Sequence, residues 1–228
     1  VTEKTLKINN NKISIDLGLN NLFAITNNIH DKYLIVNGKP LKSINQYYNK
    51  RLSKFKSELP KDVFSSNKIK NFTNKRNNKI KCEMHKITKE LVEYCEFHNI
   101  STIIVGYNKE WKNECNMGSV NNQKFIQIPY LELLNTLKYK ARLEGIDMIL
   151  TEESYTSKCS FFDNEEMIHH DKYIGRRVKR GCFKTSTGFK INADINGSLN
   201  IMRKVVPEFF EGDRGFAVNP KKVTFSTS

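Results

Sequence analysis

The chain begins with a run of alternating apolar and polar positions. Residues 12–26, KISIDLGLNNLFAIT, keep a period of two, break at Gly18 and then resume, which predicts a strand, a tight turn and a second strand. Residues 33–36 (YLIV), closed by Asn37-Gly38, add a third short strand, so three antiparallel strands precede any long helix. From Leu41 the spacing becomes helical through Ile44, Tyr47, Tyr48, Leu52 and Phe55, and it stops before Pro60. A second helical run over about 67–98 turns Ile69, Phe72, Ile80, Met84, Ile87, Leu91, Tyr94 and Cys95 inward, giving a helical hairpin.

Residues 101–106 (STIIVG) are an unbroken apolar run ending in glycine, as in a central parallel strand covered on both faces. A polar loop around 111–122 follows. Residues 129–143 return to helical spacing, Gly145 ends that helix, and IDMIL reads as another buried strand, which completes a right-handed βαβ unit. Residues 156–190 are polar, basic and aperiodic, as in an inserted module. Residues 192–194 then lead into a last helix with Asp194 in its first turn, and the chain beyond Pro207 reads as irregular.

The organisation this predicts is an α/β core formed by 1–155 and 191–210, with the hairpin 41–98 inside it. Residues 156–190 form a basic insertion, and 211–228 an irregular tail.

Charge narrows the choice of partner. Lys and Arg number 38 against 24 Asp and Glu, a formal net charge of +14, which favours a polyanion such as nucleic acid. The excess is unevenly distributed. Residues 41–82 carry twelve basic side chains against Glu58 and Asp62, and 172–190 carry seven with no acid, whereas 144–166 hold seven acids. Basic stretches around an acidic one suit a protein that grips phosphates around a metal site. The sequence has no apolar run of the roughly 20 residues that a membrane helix needs and no apolar leader at its start, so a cytoplasmic protein without a membrane partner is expected. Five scattered cysteines argue against a disulfide framework.

Asp16 in the first strand, Glu152 and Glu153 at the end of a later parallel strand, and Asp194 at a helix start could meet at one edge of a mixed sheet. Such carboxylates can hold two divalent cations for phosphodiester cleavage, and hard oxygen ligands select Mg2+ or Mn2+. By spacing alone, each acid could equally be a cap or turn residue. Lys75, Arg76, Lys79 and Lys81 on the hairpin, and Arg176, Arg177, Lys179 and Arg180 in the insertion, are candidate phosphate contacts; a solvated charged face is the alternative. Tyr47, Tyr48 and Phe72 either stack on bases or fill the hairpin core.

Six segments in order, IDLGLNNLFAIT, IIVGYNKEWK, NNQKFIQIP, LKYKARLEGIDMIL, EESYTSKCSF and INADINGSLNI, resemble the TnpB/OrfB insertion-sequence proteins over nearly the whole stretch from Lys12 to Phe210. The resemblance implies an RNase H-like (RuvC) mixed sheet flanked by helices, and a nuclease that uses a guide RNA to bind and cut DNA. It maps the first catalytic aspartate to Asp16 and the last to Asp194, within a D-x-N-(G/A)-(S/A)-x-N-I pattern. The usual middle glutamate is absent, since Gly106 stands where the acid is expected, and Glu153, with Glu152 as the alternative, is the replacement this chain offers.

Relatives also insert a four-cysteine zinc ribbon before the last aspartate. Here that window holds only Cys159 and Cys182, with His169 and His170 as conceivable partners, which argues against zinc. Relatives further carry an N-terminal region that grips the guide, so the sequence reads as the nuclease half alone: a fragment, a decayed or shortened gene product, or a stand-alone protein whose partner supplies the missing region. Two functions stay open: a metal-dependent endonuclease, and a nucleic-acid-binding module without cleavage.

Overall fold

The protein was analysed as a computed structural model, which describes residues 3–30, 32–108, 128–210 and 220–224. The expected polar loop at 111–122 and most of the tail lie outside these residues.

Strands β1 (Lys12–Leu17), β2 (Asn21–Asn27) and β3 (Leu34–Asn37) form the expected antiparallel meander. Helices α1 (Lys39–Ser57) and α2 (Asn67–Phe97) then make the hairpin. Pro40 lies in the first turn of α1, where its missing N–H costs nothing, and Ser66 caps α2 by accepting from the Ile69 amide at 3.3 Å. Strand β4 (Thr102–Tyr107), helix α3 (Tyr130–Leu143) and strand β5 (Asp147–Glu152) follow, with β4 parallel to both β1 and β5. The sheet runs β5-β4-β1-β2-β3 and is completed by β9 (Lys221–Val223), which lies parallel to β3.

Two expectations need correction. The tail beyond Pro207 is not wholly irregular: a short 3-10 turn (Pro207–Phe210) follows the last helix, and β9 joins the sheet. Strand β5 is not buried on both faces, because it forms the sheet's edge and leaves Leu150 about half exposed. An apolar run does not distinguish a central strand from an edge strand that leans on a helix.

Strand parity divides the core. Ile13, Ile15 and Leu17 of β1, with Ile103 and Val105 of β4, face the α1–α2–α3 side. Ser14 and Asp16, and Ile104 and Gly106, take the opposite side, where helix α4 (Ala193–Val205) packs across β1 and β2. Ser14 and Ser198 lock this packing by donating their hydroxyls to each other's carbonyls at 2.7 and 2.9 Å, and Thr26 joins the buried cluster at 2.6 Å from Ser14 Oγ. Each bond contributes about 1 kcal/mol net, and breaking one would leave a buried orphan costing about 1–3 kcal/mol.

The insertion covers the outer side of α4 with a small sheet of β6 (Arg176–Lys179), β7 (Cys182–Lys184) and β8 (Lys190–Asn192). Phe161, Phe183 and Ile191 fill the space beneath it.

Candidate active site

Asp16, Glu153 and Asp194 all line one open cleft of about 430 Å³ at the C-terminal end of β1. Each reaches it for a local reason. Asp16 points toward α4 by strand parity, and Gly197 makes room for it: a Cβ at Gly197 would lie 2.8 Å from Asp16 Oδ2. Asp194 is fixed in the first turn of α4 because Asn192 caps that helix, accepting from the Asp194 and Ile195 amides at 3.0 and 3.2 Å. Glu153 follows β5 directly. Lys204 of α4 donates to the Glu152 and Ser154 carbonyls at 2.9 Å each and so pins the backbone on both sides of it.

The acids interact. The Asp16 carboxyl lies deep among protein atoms, although part of the residue opens onto the cleft. Burial raises its pKa well above the usual carboxylate value, and the charges of Asp194 and Glu153 raise it further. Arg177 and the Leu17 amide oppose the rise. Glu152 is placed differently: it is exposed, its carboxylate turns to Ser154, and it does not line the cleft.

Asp194 is already engaged at both oxygens. Arg177 donates from Nη2 to Oδ1 at 3.2 Å, and Asn21 donates from Nδ2 to Oδ2 at 2.7 Å. Asn21, Gly197 and Lys204 are site residues that the sequence reading missed. The only available signal lay in their positions beside the Asp16 and Asp194 motifs. Among the described residues, no three His, Cys, Asp or Glu side chains stand in an arrangement that would hold a metal ion. The three carboxylates share a cleft without closing on one point, and the donor set is the hard-oxygen kind that suits Mg2+ or Mn2+.

The basic residues separate into two groups. Arg177 and Arg180 line the carboxylate cleft, while Arg176 and Lys179 are exposed on the same hairpin. The α2 residues lie elsewhere. Arg76 and Lys81 line a different groove beside α3 that also includes Glu132, and Lys75 and Lys79 are exposed on α2. Arg76 is partly structural, since its Nε and Nη2 donate to Asn45 Oδ1 at 2.9 and 2.6 Å and tie α2 to α1. Tyr48 and Phe72 stack on each other inside the hairpin, whereas Tyr47 is 62% exposed.

The two cysteines of the insertion sit in different surroundings. Cys159 is fully buried and donates from Sγ to the Glu166 carbonyl at 3.3 Å, and Cys182 lies in β7. Neither joins a three-ligand group among the described residues. Carboxylates hold the loops together. Glu165 accepts from the Ser160 and Ile174 amides at 2.7 Å each, and Asp163 accepts from the Ser186 amide at 3.0 Å and from its hydroxyl.

Known proteins share both the sequence and this architecture. Residues 1–112 match the family model OrfB_IS605, described as a probable transposase, and residues 130–201 match the Cas12f1-like TNB domain. The TnpB-like protein ORF457 of Acidianus two-tailed virus is 24% identical over 210 residues, covering 86% of this chain and 42% of the viral protein. Cas12f1 in a complex with sgRNA and target DNA superposes with a TM-score of 0.65 at 19% identity, over 84% of this chain and 49% of Cas12f1. A CRISPR-Cas12f ternary complex gives 0.60 at 17%, over 88% and 40%. The chain therefore spans less than half the length of these relatives. Successive matches along the chain, a TnpB-like relative and a shared fold together support the TnpB/OrfB family of insertion-sequence transposon proteins as the family this chain resembles.

Proposed function

We propose that this chain is the RuvC-like, RNase H-like core of a metal-dependent DNA endonuclease. The observation that carries the reading is the meeting of Asp16, Glu153 and Asp194, from β1, the end of β5 and the start of α4, in one cleft rimmed by Arg177 and Arg180. A buried Asp16 beside two further carboxylates calls for a cation. These three residues would hold Mg2+ or Mn2+, whose chemistry in such a site is activation of a water and charge neutralisation on the phosphate. Arg177 and Arg180 would hold the phosphate backbone across the cleft, and Asn21 would keep Asp194 in place.

DNA is the proposed substrate and guide RNA a proposed partner, in line with the sgRNA and target DNA bound to Cas12f1. Residues 1–155 with 191–210 would be the nuclease core, and 156–190 a metal-free, phosphate-binding insertion. Incubating the chain with single-stranded DNA and Mn2+ should give nicking that Asp16→Ala abolishes; equal activity in the two proteins would sink the reading.

One observation favours a second reading, binding without cleavage: both Asp194 oxygens are occupied by Arg177 and Asn21. In that case the chain would bind the same DNA with equal affinity with or without divalent cation and leave it intact.

A further inference from the structure

The tip of the α1–α2 hairpin presents an aromatic ring that the fold does not use. Phe64 is 86% exposed and its neighbour Val63 is 43% exposed. The chain around them is fixed. The Leu59 amide donates to the Lys56 carbonyl and the Val63 amide to the Pro60 carbonyl, each at 3.2 Å, and Asp62 takes a left-handed φ of 67°. Ser66 caps α2 two residues after Phe64. Phe64 is thus held outward between a hydrogen-bonded turn and a capped helix.

The hairpin interior has no need of this ring. Phe55 and Phe72 meet edge to face at 5.3 Å, Tyr48 stacks on Phe72 at 5.4 Å, and Arg51 and Lys68 lie over the Phe55 ring at 5.0 and 4.2 Å. That cluster closes the outer half of the hairpin beneath the tip.

Charge indicates the occupant. Lys54, Lys56, Lys61 and Lys70 flank the tip, and none of them has an ion-pair partner among the described residues; of the neighbouring cations, Lys68 alone is paired, with Glu58 at 3.4 Å. An exposed ring on a tip whose flanking chain carries these four lysines against the acids Glu58 and Asp62 matches a nucleic-acid strand, whose bases stack and whose phosphates attract cations. A hydrophobic protein surface would leave those ammonium groups to be desolvated without partners. We propose that Phe64 stacks on an unpaired base of a single-stranded nucleic acid, with Lys56 and Lys61 contacting the flanking phosphates. This assigns a strand-binding point outside the carboxylate cleft and rests on the nucleic-acid reading above.

The test is fluorescence anisotropy of the full chain with a labelled 20-nucleotide single-stranded DNA in EDTA. Phe64→Ala should weaken binding roughly five- to tenfold, the low end for a base–aromatic stack, and leave the salt slope unchanged. Phe64→Trp should restore binding, and Lys61→Ala should lower the salt slope by about one unit. Because the ring is exposed, all three variants should melt with the parent. Tight binding by the parent with no loss in Phe64→Ala would overturn the tip assignment alone. No binding by the parent would overturn it together with the nucleic-acid reading. Unchanged DNA affinity with a Phe64-dependent change of mass in sedimentation velocity would make the tip a protein contact and equally overturn the proposal.

Discussion

Glu153 stands over Gly106. A Cβ built on Gly106 would come within 3.5 Å of Glu153 Cβ and within 2.4 Å of Ile201 Cδ1, so the space that a glutamate on β4 would use is filled from β5 and α4. Strands β4 and β5 are parallel neighbours, with Gly106 opposite Thr151, and two residues after Thr151, just past the end of β5, the chain places its own acid at the same cleft. Gly106→Glu alone should therefore destabilise the fold by about 1–3 kcal/mol through overpacking against Ile201, read as a lower midpoint in urea. In an Ile201→Ala, Glu153→Gln background, the same Gly106→Glu change should recover part of any metal-dependent nicking that Glu153→Gln removes. If Glu153→Gln nicks as well as the parent, Glu153 is not the middle ligand.

Asp16 is held at a cost to the metal-free protein. Its pKa is raised in the fold, so the unfolded chain releases the proton more readily, and stability falls as pH rises from the usual carboxylate value toward the folded one. Asp16→Asn should then raise the melting temperature in EDTA at pH 7.5 by a few degrees, at about 2–4 °C per kcal/mol for a chain of this size, while abolishing nicking. A lower melting temperature would mean that the charged form is already compensated.

Arg177 occupies one oxygen of Asp194 at 3.2 Å, with both side chains partly exposed. Such a pair is worth at most about 1 kcal/mol. Arg177→Ala should accordingly tighten Mn2+ binding no more than about fivefold by calorimetry and weaken affinity for DNA, moving the two in opposite directions. A parallel loss of both would show that Arg177 supports the fold of the cleft instead.

The insertion should be indifferent to chelators. Burial raises the pKa of Asp163, but favourable interactions with the Ser160 and Ser186 side chains and the Ser186 amide outweigh burial and hold it below the usual value. Its contribution to stability is present above the unfolded carboxylate pKa, about 3.9, and is lost as pH falls through the lower folded value. EDTA should leave the melting temperature unchanged at pH 7, and Asp163→Ala should lower it by about 1 kcal/mol equivalent, a difference that narrows toward pH 3. Bound zinc at stoichiometric level in the purified protein would contradict this.

Local pattern was enough for much of the fold. The period of two in 12–26 predicts β1 and β2, helical spacing predicts α1, α2 and α3, and both end motifs, with Asp16 and Asp194, were readable as a family resemblance. Hydrophobic periodicity reports which face of an element is covered, and that is fixed within one or two turns of chain.

Contacts far apart in sequence decided the rest. Burial of Leu150 depends on whether β5 has one neighbour or two. The tail strand β9 exists only because β3 offers it a free edge. The choice between Glu152 and Glu153 at the cleft is a matter of direction at a strand end, set by Lys204 from another element. Asn21, Gly197 and Arg177 approach Asp16 and Asp194 across gaps of 17 to 181 residues, and no local pattern encodes such a meeting. Local pattern thus sets which elements form and which acids are available. Packing between distant segments sets which acids share a cleft and brings the Arg177 guanidinium among them, because charge interactions depend on distance in space and not on separation along the chain.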